Sequence, residues 1–148
     1  MSGIVVPVSR NEGQTRRLID GIIDFPQIGT DTHITIINVF EEFDPDKRYM
    51  TKGVDIDSET LFEEEGTPET VTLAAETLSE AGYTVDIRRE HGKVTRSILD
   101  CVEDIGADAI AMTGRQRSPV GKLLMGSVTQ SIVLSAECPV IVIPKSKE

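Results

Sequence analysis

The sequence predicts an α/β protein: an open, mostly parallel five-stranded sheet with helices on both faces. Three observations predict it. Apolar runs of strand length alternate with amphipathic stretches of helix length along the whole chain. The runs Ile4-Val5-Val6-Pro7-Val8 and Val140–Ile143 are apolar on both faces, as strands buried in a parallel sheet are. Glycine and proline punctuate the ends of the helical stretches, at Pro26, Gly29, Gly82, Gly106 and Pro139. The order β-α-β-α-β-α-β-α-β requires right-handed crossovers, and its ligands bind beyond the carboxyl ends of strands where the strand order reverses.

Each element has its own warrant. Gly3–Val8 is the first strand. Asn11 caps the following helix, with Gln14 in the capping-box position three residues on. That helix runs from Glu12 to about Asp24 and repeats apolar residues at Leu18, Ile22 and Phe25, with Ile19 and Ile23 beside them. His33–Phe40 is the second strand, built on Ile34, Ile36, Ile37, Val39 and Phe40. Thr67 as cap and Pro68 at the first helical position open a helix to about Ala81, with Val71, Ala74, Ala75, Leu78 and Ala81 inward. Tyr83–Arg88 alternates Tyr83, Val85 and Ile87 and reads as a short edge strand. Lys93–Asp104 is helical, with Val94, Ile98, Cys101, Val102 and Ile105 at helical spacing, and Gly106 closes it. Asp108–Met112 is the fourth strand. Ser127, with Gln130 three residues on, caps the last helix, which ends before Cys138-Pro139 and the final strand Val140–Ile143.

One segment breaks the rhythm. Residues 41–65 are acidic but carry Phe43, Tyr49, Met50, Ile56, Leu61 and Phe62, and are far longer than an ordinary strand-to-helix link. They read either as a surface insertion or as a lid over the same end of the sheet.

Composition bounds the class. At 148 residues the chain reads as one domain, residues 1–148, able to bury a core without staples. No apolar run is long enough to span a bilayer and no charged-then-apolar signal segment opens the chain, so the expected location is cytoplasmic. Asp and Glu number 25 against 15 Lys and Arg, a formal net charge of -10. That balance argues against nucleic-acid and anionic-membrane partners; it suits a salt-rich cytoplasm, though ordinary acidic proteins share it. The two cysteines, Cys101 and Cys138, and two histidines, His33 and His91, are too few for a metal site. Cys101 on an apolar stripe reads as a buried inert thiol. His33 begins a strand and His91 falls in a short loop; neither forms a catalytic constellation.

The stretch from Asp108 onward carries the chemistry. A strand enters a loop of small residues holding Arg115, Arg117 and Lys122, which ends at Gly126-Ser127 and the start of a helix. Exposed amides and the helix dipole favour an anion there. Commoner phosphate motifs fail. A P-loop would need glycine where Gln116 stands and a hydroxyl where Leu123 stands. The dinucleotide fingerprint fails because the first loop reads Ser9-Arg10-Asn11-Glu12-Gly13. A phosphoacceptor receiver fails for want of acidic residues near Ser9 and Arg88.

Met112-Thr113-Gly114-Arg115-Gln116-Arg117-Ser118-Pro119-Val120-Gly121-Lys122-Leu123-Leu124-Met125-Gly126-Ser127-Val128-Thr129-Gln130, followed by a helix and Cys138-Pro139-Val140-Ile141-Val142-Ile143-Pro144, resembles the C-terminal signature of the universal stress protein (UspA) family. The opening strand and the Gly106-Ala107-Asp108 lead are similar too. The resemblance implies a Rossmann-like, adenine-nucleotide-hydrolase-like sheet of strand order 3-2-1-4-5. It implies a stress-response homodimer built around Val140–Ile143, with ATP or AMP at the loop after the fourth strand and Mg2+ if ATP. The nucleotide motif of the family is Gly-x2-Gly-x9-Gly-Ser/Thr. Aligned on this chain, its first two glycines fall on Thr113 and Gln116, or after a one-residue slip on Gly114 and Arg117, while Gly126 and Ser127 match. An aspartate that the family often has after the first strand is Ser9 here. A side chain at the second glycine obstructs close approach of backbone to phosphate; Arg115 and Arg117 could supply guanidinium contacts instead. Carried over, the phosphates lie on Gly114–Arg117 and Gly126–Thr129, and the base between Val8-Ser9 and Val39, beside Met112 and Thr113. Two other readings stay open: a partner-binding dimer whose degenerate loop holds no nucleotide, and a nucleotide hydrolase, which the absence of a Ser-Gly-Gly loop after the first strand disfavours.

Overall fold

The computed structural model describes residues 2–41, 66–114 and 125–144. Its elements run β1 (Gly3–Pro7), α1 (Glu12–Asp24), β2 (His33–Glu41), α2 (Glu69–Glu80), β3 (Thr84–Gly92), α3 (Val94–Ile105), β4 (Ala109–Thr113), α4 (Ser127–Ser135) and β5 (Val140–Ile143). The sheet has the order β3-β2-β1-β4-β5 and every described pairing is parallel. The expectation of a mostly parallel sheet thus resolves to a wholly parallel one.

Alternation along the strands sorts the core into two layers. Ile4, Val6, Val8, Ile34 and Ile36 face Leu18, Ile19 and Ile22 of α1 and Val71, Ala74 and Leu78 of α2. Val5, Ile37, Ile110 and Met112 face Ile98 and Cys101 of α3 and Ile132 of α4. From β1 the chain first moves outward through β2 to β3, then returns past β1 to β4 and β5. The direction therefore reverses between β1 and β4, which pair through Ile4↔Ala109 and Val5↔Ile110. A crevice opens above that point in such sheets.

Several boundaries differ from expectation, each for a physical reason. β3 continues to Gly92 because its ladder with β2 runs unbroken from His33↔Thr84 to Glu41↔Gly92. Its Arg89, Glu90 and His91 look like loop in composition, but an edge strand carries charge without penalty; His91 is therefore a strand residue. Tyr83 lies just before β3, buried, with its hydroxyl donating to the Ile28 carbonyl at 2.7 Å. α2 begins one residue later than expected: Pro68 is the N-cap and makes no side-chain cap bond. α4 instead begins one residue earlier than expected: Gly126 is its N-cap, Ser127 is its first helical residue, and Gln130 Nε2 reaches back to the Met125 carbonyl at 3.3 Å. Gly106 closes α3 as expected, in the left-handed conformation at φ 64°.

Candidate functional site

A cavity of about 420 Å³ lies at the carboxyl ends of β1, β2 and β4, above the reversal point. That size is within the roughly 300–1,000 Å³ typical of small-molecule sites. The N-terminal turns of α1, α3 and α4 complete its walls.

Of the residues expected at a ligand site, Val8, Ser9, Val39, Met112, Thr113, Gly126, Ser127, Val128 and Thr129 all line this cavity. Gly114 is buried but does not appear among the described lining residues; its N–H donates to the Ile143 carbonyl at 3.0 Å and so belongs to the β4–β5 junction. Arg115, Gln116 and Arg117, with Lys122, lie outside the described residues, as does the 42–65 segment.

The α4 end of the cavity is made of backbone. Gly126 has φ -70° and ψ 168°, a conformation open to any residue, so its lack of a side chain matters for space and not for strain. It provides no side-chain cap. The amides of a first helical turn have no intrahelical acceptor, and here they belong to Ser127, Val128 and Thr129 at the cavity wall. The Thr129 hydroxyl donates to the Thr113 carbonyl at 3.2 Å and fastens this turn to the end of β4.

The β1 end is a junction centred on Ser9. Its hydroxyl accepts from the Asn11 amide at 3.2 Å and donates to Gln14 Oε1 at 3.2 Å. Asn11 Oδ1 accepts from the Gln14 amide at 2.9 Å. The expected capping box is therefore half formed: Asn11 caps α1, but Gln14 turns to Ser9, and Ser9 takes the amide that Gln14 was expected to satisfy. The Ser9 carbonyl accepts from the Thr70 hydroxyl of α2 at 2.7 Å.

Sequence reasoning missed several lining residues. Arg10 is the only charged residue among the described lining positions. Its place directly after Ser9 was the available signal. Asn38 is 6% exposed and its Nδ2 donates to the Val8 carbonyl at 3.1 Å. A lone amide inside the apolar run Ile34–Phe40 is the kind of anomaly that marks a site. Phe40 continues the wall beside Val39. Val94 and Ile98 carry no signal beyond ordinary helix amphipathicity.

Elsewhere, Arg88 ties β3 to α3 through Glu90 and Asp104, each at 2.7 Å, and both carboxylates raise its affinity for the proton. Cys101 is fully buried, and burial pushes its thiol up. His33 Nε2 meets Asp86 Oδ2 at 2.5 Å, at the opposite end of the sheet from the cavity. Among the described residues there is no group of three His, Cys, Asp or Glu placed to hold a metal, and no helix long and apolar enough to cross a membrane.

Comparison with known proteins agrees with this fold. A universal stress protein of Mycolicibacterium smegmatis is 34% identical over 67 residues, 45% of this chain and 52% of that protein. The chain spans about half the length of the curated relatives it matches. The structure of a universal stress protein from Archaeoglobus fulgidus superposes with a TM-score of 0.68 at 24% identity, covering 97% of this chain and 98% of that one. An Archaeoglobus fulgidus universal stress protein in complex with dAMP gives 0.63 at 19% identity, covering 97% and 98%. Likeness at these identities establishes the fold. The sequence itself matches the universal stress protein family over residues 1–144, and the chain belongs to that family.

Proposed function

We propose that this chain is a single-domain, dimeric, cytoplasmic stress-response protein that binds an adenine nucleotide in the cavity above β1 and β4, with binding and not turnover as its role. The observation that carries the reading is the cavity's charge. In a chain of net charge -10, its described lining includes no carboxylate, one arginine and the uncapped first turn of α4. Such a site favours an anion. The apolar wall of Val8, Ile37, Val39, Phe40, Val94 and Met112 suits a flat base. The dAMP complex of a protein of the same fold supports the ligand class. ATP, with Mg2+ carried on its phosphates, and AMP are the two candidates; the loop 115–117 then contributes its arginines to the phosphates.

A second reading has its own observation. The Gly114 amide is committed to Ile143, so one donor expected for phosphate is already used. A chain with no nucleotide would serve as a paired scaffold through β5, whose four residues are partly buried at the sheet edge.

Calorimetric titration with ATP and AMP separates the two. The unmodified chain is expected to give saturable heat, and Gly126→Val, which adds bulk at the wall, to lose it while melting normally. Absence of heat from the unmodified chain removes the nucleotide reading and leaves the scaffold.

A further inference from the structure

The neutral polar side chains on the β1, β2 and α1 wall of the cavity are bonded within the protein. The Ser9 hydroxyl bonds to the Asn11 amide and to Gln14 Oε1, the Thr15 hydroxyl donates to the Asn11 carbonyl at 2.8 Å, and Asn38 Nδ2 donates to the Val8 carbonyl at 3.1 Å. The ionic group on that wall, among the described lining residues, is Arg10. Arg10 already makes an interaction within the protein, but a guanidinium carries five donors and can take a phosphate as well. Arg10 also borders a second hollow of about 460 Å³, which it shares with the charged residues Glu12, Arg16 and Glu69. Glu12 is paired with Arg16 at 2.8 Å, and Glu69 stands in the first turn of α2. The carboxylates thus lie toward that hollow, whereas the described lining of the first cavity has none. An anion meets Arg10 from the side of the first cavity. That cavity therefore has two positive poles. Arg10 stands on the face of the sheet covered by α1 and α2, and the first-turn amides of α4 stand on the opposite face. A ligand with phosphate at one end alone reaches one pole and leaves the other empty.

We propose that Arg10 makes the cavity selective for a nucleoside carrying two separate phosphates, one at the 5′ position and one at the 2′ or 3′ position of the ribose. The inference rests on the nucleotide reading above and deepens it. With the 5′ phosphate at α4 and the base on the apolar wall, the ribose hydroxyl edge is the part of the ligand left for the wall across from α4, where Arg10 stands. Sheets of this class hold free ribose hydroxyls with a carboxylate and accommodate a ribose phosphate with an arginine. The described lining here has the arginine and not the carboxylate.

The test measures AMP, ATP, adenosine 2′,5′-bisphosphate and adenosine 3′,5′-bisphosphate by calorimetry on the full chain, on Arg10→Gln and on Arg16→Gln, with thermal melting to follow the fold. At least one bisphosphate is expected to bind the unmodified chain about tenfold more tightly than AMP, the effect of one charge-assisted hydrogen bond. Arg10→Gln is expected to abolish that advantage and to leave AMP within about threefold, because a charge with no direct contact to the ligand acts weakly through salt and water. Arg16→Gln, at a residue that borders the second hollow but not the first, is expected to keep the advantage. Bisphosphates that bind no tighter than AMP, or an Arg10→Gln chain that loses all four ligands equally, overturn the inference while the nucleotide reading stands. A loss confined to ATP overturns it too, because Arg10 would then serve the 5′ phosphate chain. An unmodified chain that binds none of the four overturns the reading and this inference with it.

Discussion

Asp108 shows how one exposed residue can join two distant segments. Its Oδ2 accepts from the Ser2 hydroxyl at 2.7 Å, the Ser2 amide at 2.8 Å and the Gly3 amide at 3.1 Å, and its own amide donates to the Gly3 carbonyl at 2.8 Å. Those donors, the Ser2 hydroxyl foremost, lower its pKa. A carboxylate lowered in the folded state contributes stability above its unfolded pKa and loses it as pH falls through the folded value. Asp108→Asn is therefore expected to lower the melting temperature at neutral pH and to flatten the loss of stability below about pH 4; parallel acid profiles for both chains would refute this. The sequence marked Asp108 as a lead into a strand. It could not mark the partners, because the contact joins residues 106 apart. Ser9 and Asn38 teach the same lesson. Their identities are legible, but the exchange of bonds among Ser9, Asn11, Gln14 and Thr70 exists only once α1 and α2 converge on β1.

Among the elements, α1 is held unusually close to the sheet. A Cβ on Gly21 would lie 2.7 Å from both Cδ1 and Cγ2 of Ile143, so this mid-helix glycine is there for close packing. Gly21→Val is expected to destabilise the chain by about 1–3 kcal/mol through overpacking, read as a shifted urea midpoint; an unchanged midpoint would show that β5 moves aside freely. Element order, type and the two-sided covering of the sheet were legible because period and punctuation are local. Boundaries were less so. The start of α2 and of α4 each moved by one residue because Pro68 and Gly126, not Thr67 and Ser127, take the cap position. The length of β3 depends on its ladder with β2, which composition does not report.

For the whole molecule, the open question is what covers the free side of β5. Its residues Val140–Ile143 are all only partly buried. An apolar edge of this kind favours strand-to-strand association, which underlies the proposed dimer. Val142 packs in neither core layer, so Val142→Asp is expected to halve the sedimenting mass and leave the monomer folded. An unchanged mass would place any interface elsewhere. The parallel sheet has a further cost, paid before the fold is complete. β1 sits at its centre, yet Val5 finds Ile110 only after most of the chain has been made. On the ribosome β1, β2 and β3 can assemble early, leaving one flank of Ile4, Val5 and Val6 bare until β4 emerges. Such non-local pairing is slow, and an open hydrophobic margin in a nascent chain draws chaperones or aggregates. A protein of this architecture is thus most vulnerable during its own synthesis.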